Sequence, residues 1–149
     1  MKKEKRRLIR RIEWVFFILV VLWIPNIYSQ GILRIPLYIH GNEIGVEVAQ
    51  TPEEWSRGLM GRKSLGKSEG MLFIFAAEDY HGFWMKDTLI PLSIAFIDKD
   101  GRIVWITDMK PLTLNSHVPP RPILYALEMN QGWFSSHGVK AGDTVRFAK

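Results

Sequence analysis

Gly70-Met71-Leu72-Phe73-Ile74-Phe75 decides how the rest of the chain is read. Six residues with no charge and no interior turn former are too short for a core helix and too apolar for a wet surface, so they read as a buried strand. A buried strand needs hydrogen-bonded neighbours and a covering layer. The flanking sequence supplies candidates for both.

Upstream, Ile44-x-Val46-x-Val48 alternates with the period of a strand, and Gly41-Asn42 is the turn that feeds it. Before that turn, Ile32, Ile35, Leu37 and Ile39 suggest a first strand, with Pro36 hinting at a sheet edge. Between strands, Thr51-Pro52-Glu53-Glu54 is a helix start: Thr51 caps, Pro52 suits the first helical position and Glu54 completes a capping box. This helix is expected to run to Leu59 or Met60 and to stop at Gly61. A polar loop over 62–69 then leads into the buried strand.

Downstream, 81–86 reads as a further strand, and Asp98-Lys99-Asp100-Gly101 as the hairpin between strands at 92–97 and 102–107. Residues 110–122 form a proline-bearing excursion, long enough to be a functional loop. Strands at 123–129 and 144–147 flank a helical turn at 133–137 that ends on Gly138. The fold class is therefore mainly β, a small jelly-roll-like sandwich or partly closed barrel with two short helices.

The N-terminus is of another kind. Seven Lys and Arg residues precede the unbroken apolar run WVFFILVVLWI at 14–24. Eleven residues suit a secretory segment better than a transmembrane helix, which wants roughly 20. Residues 1–29 are expected to be a signal peptide cleaved near Ser29, or a retained N-terminal membrane anchor. Residues 30–149 are then one domain, exported to the periplasm or another extracytoplasmic space and touching the membrane only through the N-terminal segment.

Charge follows the same division. Of 20 Lys+Arg and 15 Asp+Glu, seven bases and two acids lie before Gln30, which leaves 13 of each in the domain. A balanced domain lacks the positive field that nucleic-acid backbones require, so no nucleic-acid partner is expected. The chain has no cysteine, which excludes disulfides, thiolate metal sites and cysteine nucleophiles. Five methionines between Met60 and Met129 and four histidines could evoke copper, but the histidines show no ligand spacing. No metal and no cofactor are expected. No hydrolase, phosphate-loop or dinucleotide motif occurs, and no catalytic residue is assigned.

Arg57-Gly58-Leu59-Met60-x-Arg62, Gly70-Met71-Leu72-Phe73-x-Phe75, Phe83-Trp84-Met85-Lys86-x-Thr88, Pro91-Leu92, Leu127-Glu128 and Gly142-Asp143 follow one another in order. Together they resemble the family called DUF192, also written UPF0127, over about 44–147. The resemblance implies a mainly β, jelly-roll-like domain, often exported, with no assigned activity. One departure is Asp87, where the family usually has Asn.

Glu128 is the most informative side chain, because it interrupts a stretch that otherwise reads as core. A buried carboxylate needs a partner, and Arg57 and Arg62 are the natural ones. The plainest expectation is an ion pair pinning helix to sheet. The sharper one gathers Arg57, Arg62, Lys86, Asp87, Thr88 and Glu128 around a pocket walled by Trp84, suited to an anionic or sugar-like ligand. The sequence thus leans towards a non-enzymatic module that binds a small ligand or an envelope protein. A small envelope hydrolase using Glu128 or Asp87 as acid or base is the alternative, and a structural or assembly accessory is a third.

Overall fold

The computed structural model describes residues 34–147. Seven strands and two short helices occur in the order β1 (Ile35–Ile39), β2 (Asn42–Ala49), α1 (Pro52–Arg57), β3 (Glu69–Asp79), β4 (Leu92–Ile97), β5 (Ile103–Met109), β6 (Ile123–Asn130), α2 (Trp133–Ser136) and β7 (Val145–Phe147). The expected strand residue Ile32 and the N-terminal segment lie outside the described residues. Among the described residues, no helix is long and apolar enough to cross a membrane.

One sheet holds all seven strands in the order β5-β4-β6-β3-β2-β1-β7. Pairing is antiparallel except between β2 and β3, which α1 joins as a parallel crossover. The two ends of the sheet meet at a bridge between Arg102 and Thr144. There Ile103 donates its N–H to the Asp143 carbonyl and Val145 donates to Gly101, each at 2.8 Å. The sheet is therefore a curled half-barrel, the second of the two architectures expected.

Both faces of the central strands are buried. On β3, Leu72 and Ile74 face a core shared with Leu37, Ile39, Val46, Leu127 and the α2 residues Trp133 and Phe134. Met71, Phe73 and Phe75 face a second core with Ile94, Phe96 and Ala126. Leu59, Phe83, Met85 and Ile90, from the segments after α1 and β3, cover this second face. Two-sided burial explains why 70–75 carries no polar alternation, and each large side chain so buried contributes about 1.5–3 kcal/mol.

Local chemistry places the elements. The capping box of α1 forms as expected: Thr51 accepts the Glu54 N–H, and the Glu54 carboxylate accepts the Thr51 N–H at 3.0 Å. The helix ends at Arg57, short of the expected Leu59 or Met60. Gly58 takes φ 46°, and a Cβ there would lie 3.3 Å from the Phe73 ring. Leaving the helix at Gly58 lets Leu59 drop into the core. The β1–β2 turn is His40-Gly41, both at positive φ, one residue earlier than expected. Pro36 pairs with β2, while β7 covers only Leu37–Ile39, so its other side meets no strand.

Residues 81–86 are not the expected strand. Their single ladder contact is Phe83 with His117, bonded both ways at 3.0 and 2.7 Å. Met85 donates to Thr113 and Leu112 donates to Thr88. Asp87 sits at φ 52°, which no strand tolerates. The stretch is instead a cover, tied by its backbone to the 110–122 loop while Phe83, Met85 and Ile90 point inward.

Candidate functional site

Alternation on β6 puts Leu127 and Met129 into one core and turns Ala126 and Glu128 towards the other. Glu128 lies opposite Met71 of β3 on one side and Ile94 of β4 on the other. Above it, the end of α1 and the 82–88 cover leave a cavity of about 90 Å³. Phe73, Phe75, Phe83 and Trp55 line it together with the polar side chains of Ser56, Thr88 and Glu128, and Arg57 and Trp84 border it. The rings of Phe73 and Phe75 pack edge-on against that of Phe83, with centroids 4.9 and 6.1 Å apart.

Glu128 is 4 % exposed, yet no hydrogen bond and no ion pair reaches its carboxyl among the described residues. Burial alone pushes it up to about 8. The carboxyl is therefore mainly protonated at neutral pH and has no partner among the described residues.

The DUF192 family profile, whose description reads "Uncharacterized ACR", matches residues 35–147. The chain belongs to the DUF192 family. A solved protein of unknown function from Novosphingobium aromaticivorans is 34 % identical, with a TM-score of 0.76 over 80 % of this chain and 89 % of that one. A candidate transcription regulator from Sinorhizobium meliloti is 32 % identical, with a TM-score of 0.72 over 76 % of this chain and 92 % of that one. No curated protein matches.

The expected ion pair of Glu128 is corrected by the DUF192 structure. Arg62 bonds Glu47 of β2 instead, and Arg34 holds the other Glu47 oxygen at 3.3 Å. Arg34 also reaches Glu69 at 3.2 Å. Arg57 borders the cavity but forms no ion pair among the described residues. Of the residues named from the sequence, Arg57, Trp84, Thr88 and Glu128 converge; Arg62, Lys86 and Asp87 are not part of the lining. Lys86 stands 5.6 Å from the exposed Trp84 ring. Asp87 is exposed, and its carbonyl accepts the Gly61 N–H at 2.9 Å. Its left-handed backbone is one that Asn and Asp adopt most readily. The Asn-to-Asp departure therefore keeps the local backbone.

Glu47 and the walls Phe73, Phe75 and Phe83 are site residues that the sequence does not single out. Glu47 lies in a polar slot of an alternating strand. The period-two pair Phe73 and Phe75 was the available signal for the walls.

Proposed function

We propose that this DUF192 domain is an exported binding module that admits the head group of a small ligand into the cavity beside Glu128. The observation that carries the reading is a carboxyl 4 % exposed that borders the cavity and has no partner among the described residues. Burying such a group costs free energy that no internal contact returns. A ligand group is the partner that would complete it. Room of about 90 Å³ is far below the roughly 300 Å³ at which drug-sized pockets begin, so a head group enters and the rest of the ligand stays outside.

Binding is favoured over hydrolysis by the placement of Asp87. The second acid of the hydrolase alternative is exposed and absent from the cavity lining, so it does not face Glu128 across a substrate. The domain carries 13 bases against 13 acids, a balance that does not favour the DNA binding that the Sinorhizobium protein's regulator name suggests. Export rests on the basic and apolar N-terminus.

Thermal unfolding of the full chain against a panel of small carboxylates, amines and sugars tests the binding half. A panel member should raise Tm for the native chain and fail to raise it for Glu128→Gln. Equal stabilisation of both proteins would overturn the cavity as the site. A reporter fused after Lys149 tests the other half, and a cytoplasmic signal would overturn export.

A further inference from the structure

We propose that the outer surface formed by Trp84, Leu89, Leu112 and Leu114 is a second membrane contact, which seats the domain on a bilayer carrying anionic phospholipid. The inference does not rest on the cavity beside Glu128, and it adds to the contact expected of the N-terminal segment.

Two stretches of backbone build the surface. Met85 donates its N–H to the Thr113 carbonyl at 3.0 Å, and Leu112 donates to the Thr88 carbonyl at 3.1 Å. These bonds tie residues 82–90 to the 110–122 loop. Along the first stretch, alternation sends Phe83 and Met85 into the core and leaves Trp84 and Lys86 outside. Leu112 and Leu114 are likewise exposed on either side of the half-buried Thr113. Trp84, Leu89, Leu112 and Leu114 are 49, 48, 61 and 67 % exposed. One exposed apolar side chain is ordinary, but four on two linked segments mark an interaction surface.

The backbone is bent to make this display. Leu112 stands at φ 59°, a region that a residue with a Cβ enters rarely and at a cost. The conformation gains Leu112 no burial. What it produces is a leucine held outward beside Leu114.

Chemistry identifies the occupant. Side chains this exposed project from the surface rather than line a groove, which suits insertion among head groups and upper acyl chains. Trp favours that depth, because its ring is apolar and its N–H is not. Charge then selects the lipid. Residues 82–90 and 110–122 carry Lys86, Lys110 and Arg121 against Asp87 alone. Arg121 is turned to Asp98 at 3.6 Å, so Lys86 and Lys110 are the bases left beside the leucines. Each adds attraction to an anionic leaflet, and salt screens it. The apolar run at 14–24, retained as an anchor, also keeps a bilayer in reach. Only residues 25–33 separate it from the described domain, and they span at most roughly 30 Å.

The chain has no cysteine, so a single introduced one carries a label alone. The full chain is reconstituted into phosphatidylcholine vesicles with or without phosphatidylglycerol, bearing an environment-sensitive fluorophore at Leu114→Cys or at Ser135→Cys. Ser135 is exposed on α2, which packs on the opposite face of the sheet. With phosphatidylglycerol present, the label at 114 should shift to the blue. Spin-labelled lipid should quench it at least about threefold more than the label at 135. Adding Leu89→Ser and Leu112→Ser should bring quenching at 114 down to that of the control, with urea unfolding unchanged. Lys86→Glu with Lys110→Glu should remove the dependence on phosphatidylglycerol.

Equal quenching at the two positions would overturn the membrane contact. Quenching at 114 that is the same with and without phosphatidylglycerol would overturn the anionic surface. A blue shift in lipid-free detergent that grows with protein concentration would overturn the bilayer as occupant and assign the patch to a second copy of the chain.

Discussion

Glu47 and Glu128 stand on the same face of the sheet, one on each side of Met71. Two strand spacings put their backbones roughly 10 Å apart. Both are almost fully buried, at 5 % and 4 % exposure. Glu47 is clasped by Arg34 and Arg62, whereas Glu128 meets aromatic rings and a cavity. One carboxylate is compensated within the fold, and the other is left for what comes from outside.

Glu128 should make the domain less stable as pH rises. Its folded-state pKa is raised to about 8 from 4.5, so between those values the folded state keeps a proton that the unfolded chain has released. Stability then falls across that window and levels above pH 8, by a total on the order of several kcal/mol. Glu128→Gln should remove the slope and exceed the native chain in stability at pH 7 and pH 9. Urea unfolding at pH 5, 7 and 9 reads both profiles, and parallel profiles would contradict the buried, partnerless carboxyl.

Arg62→Ala should cost about 1–3 kcal/mol, because Glu47 keeps only the partly exposed Arg34 as countercharge. Adding Glu47→Gln should then cost less than the two single changes summed. A double-mutant cycle measures the coupling, and strict additivity would mean the pair contributes nothing.

Gly70→Ala should destabilise by at least about 2 kcal/mol. A Cβ at Gly70 would come within 2.4 Å of Met129 Sδ and 2.5 Å of the Glu128 carbonyl oxygen. The methionine tail can move, but the β6 backbone is held by its ladder to β4. Chemical denaturation reports the cost, and a variant as stable as the native chain would show that the β3–β6 contact is looser than described.

Asp87→Asn should leave stability within about 0.5 kcal/mol, whereas Asp87→Val should cost roughly 1–2 kcal/mol, because a β-branched residue resists φ 52°. Equal melting temperatures for the two variants would show that the backbone at this position is not what selects the residue.

The fold was legible where local and long-range preferences agree. Alternation in 44–48, the capping box at Thr51 and Glu54, and the apolar run at 70–75 each read correctly, since backbone geometry and burial ask for the same residues there. The cover at 81–86 read as a strand because its inward residues Phe83 and Met85 alternate. What separates it from a strand is Asp87 at positive φ and a backbone bonded to a loop, neither of which has a periodicity. The cavity was half legible. Glu128 stood out as a charge within core, but its isolation depends on Arg62 choosing Glu47, and that choice is made by the parallel β2–β3 register.

The curl closes through β7, whose residues Val145–Phe147 pair with Ile39–Leu37 from the opposite end of the domain. Few contacts in the fold join positions so far apart in sequence, and bringing them together carries the largest loop-closure entropy. The local β1–β2 and β4–β5 hairpins are therefore expected to form first, with the seam at Arg102 and Thr144 joining last.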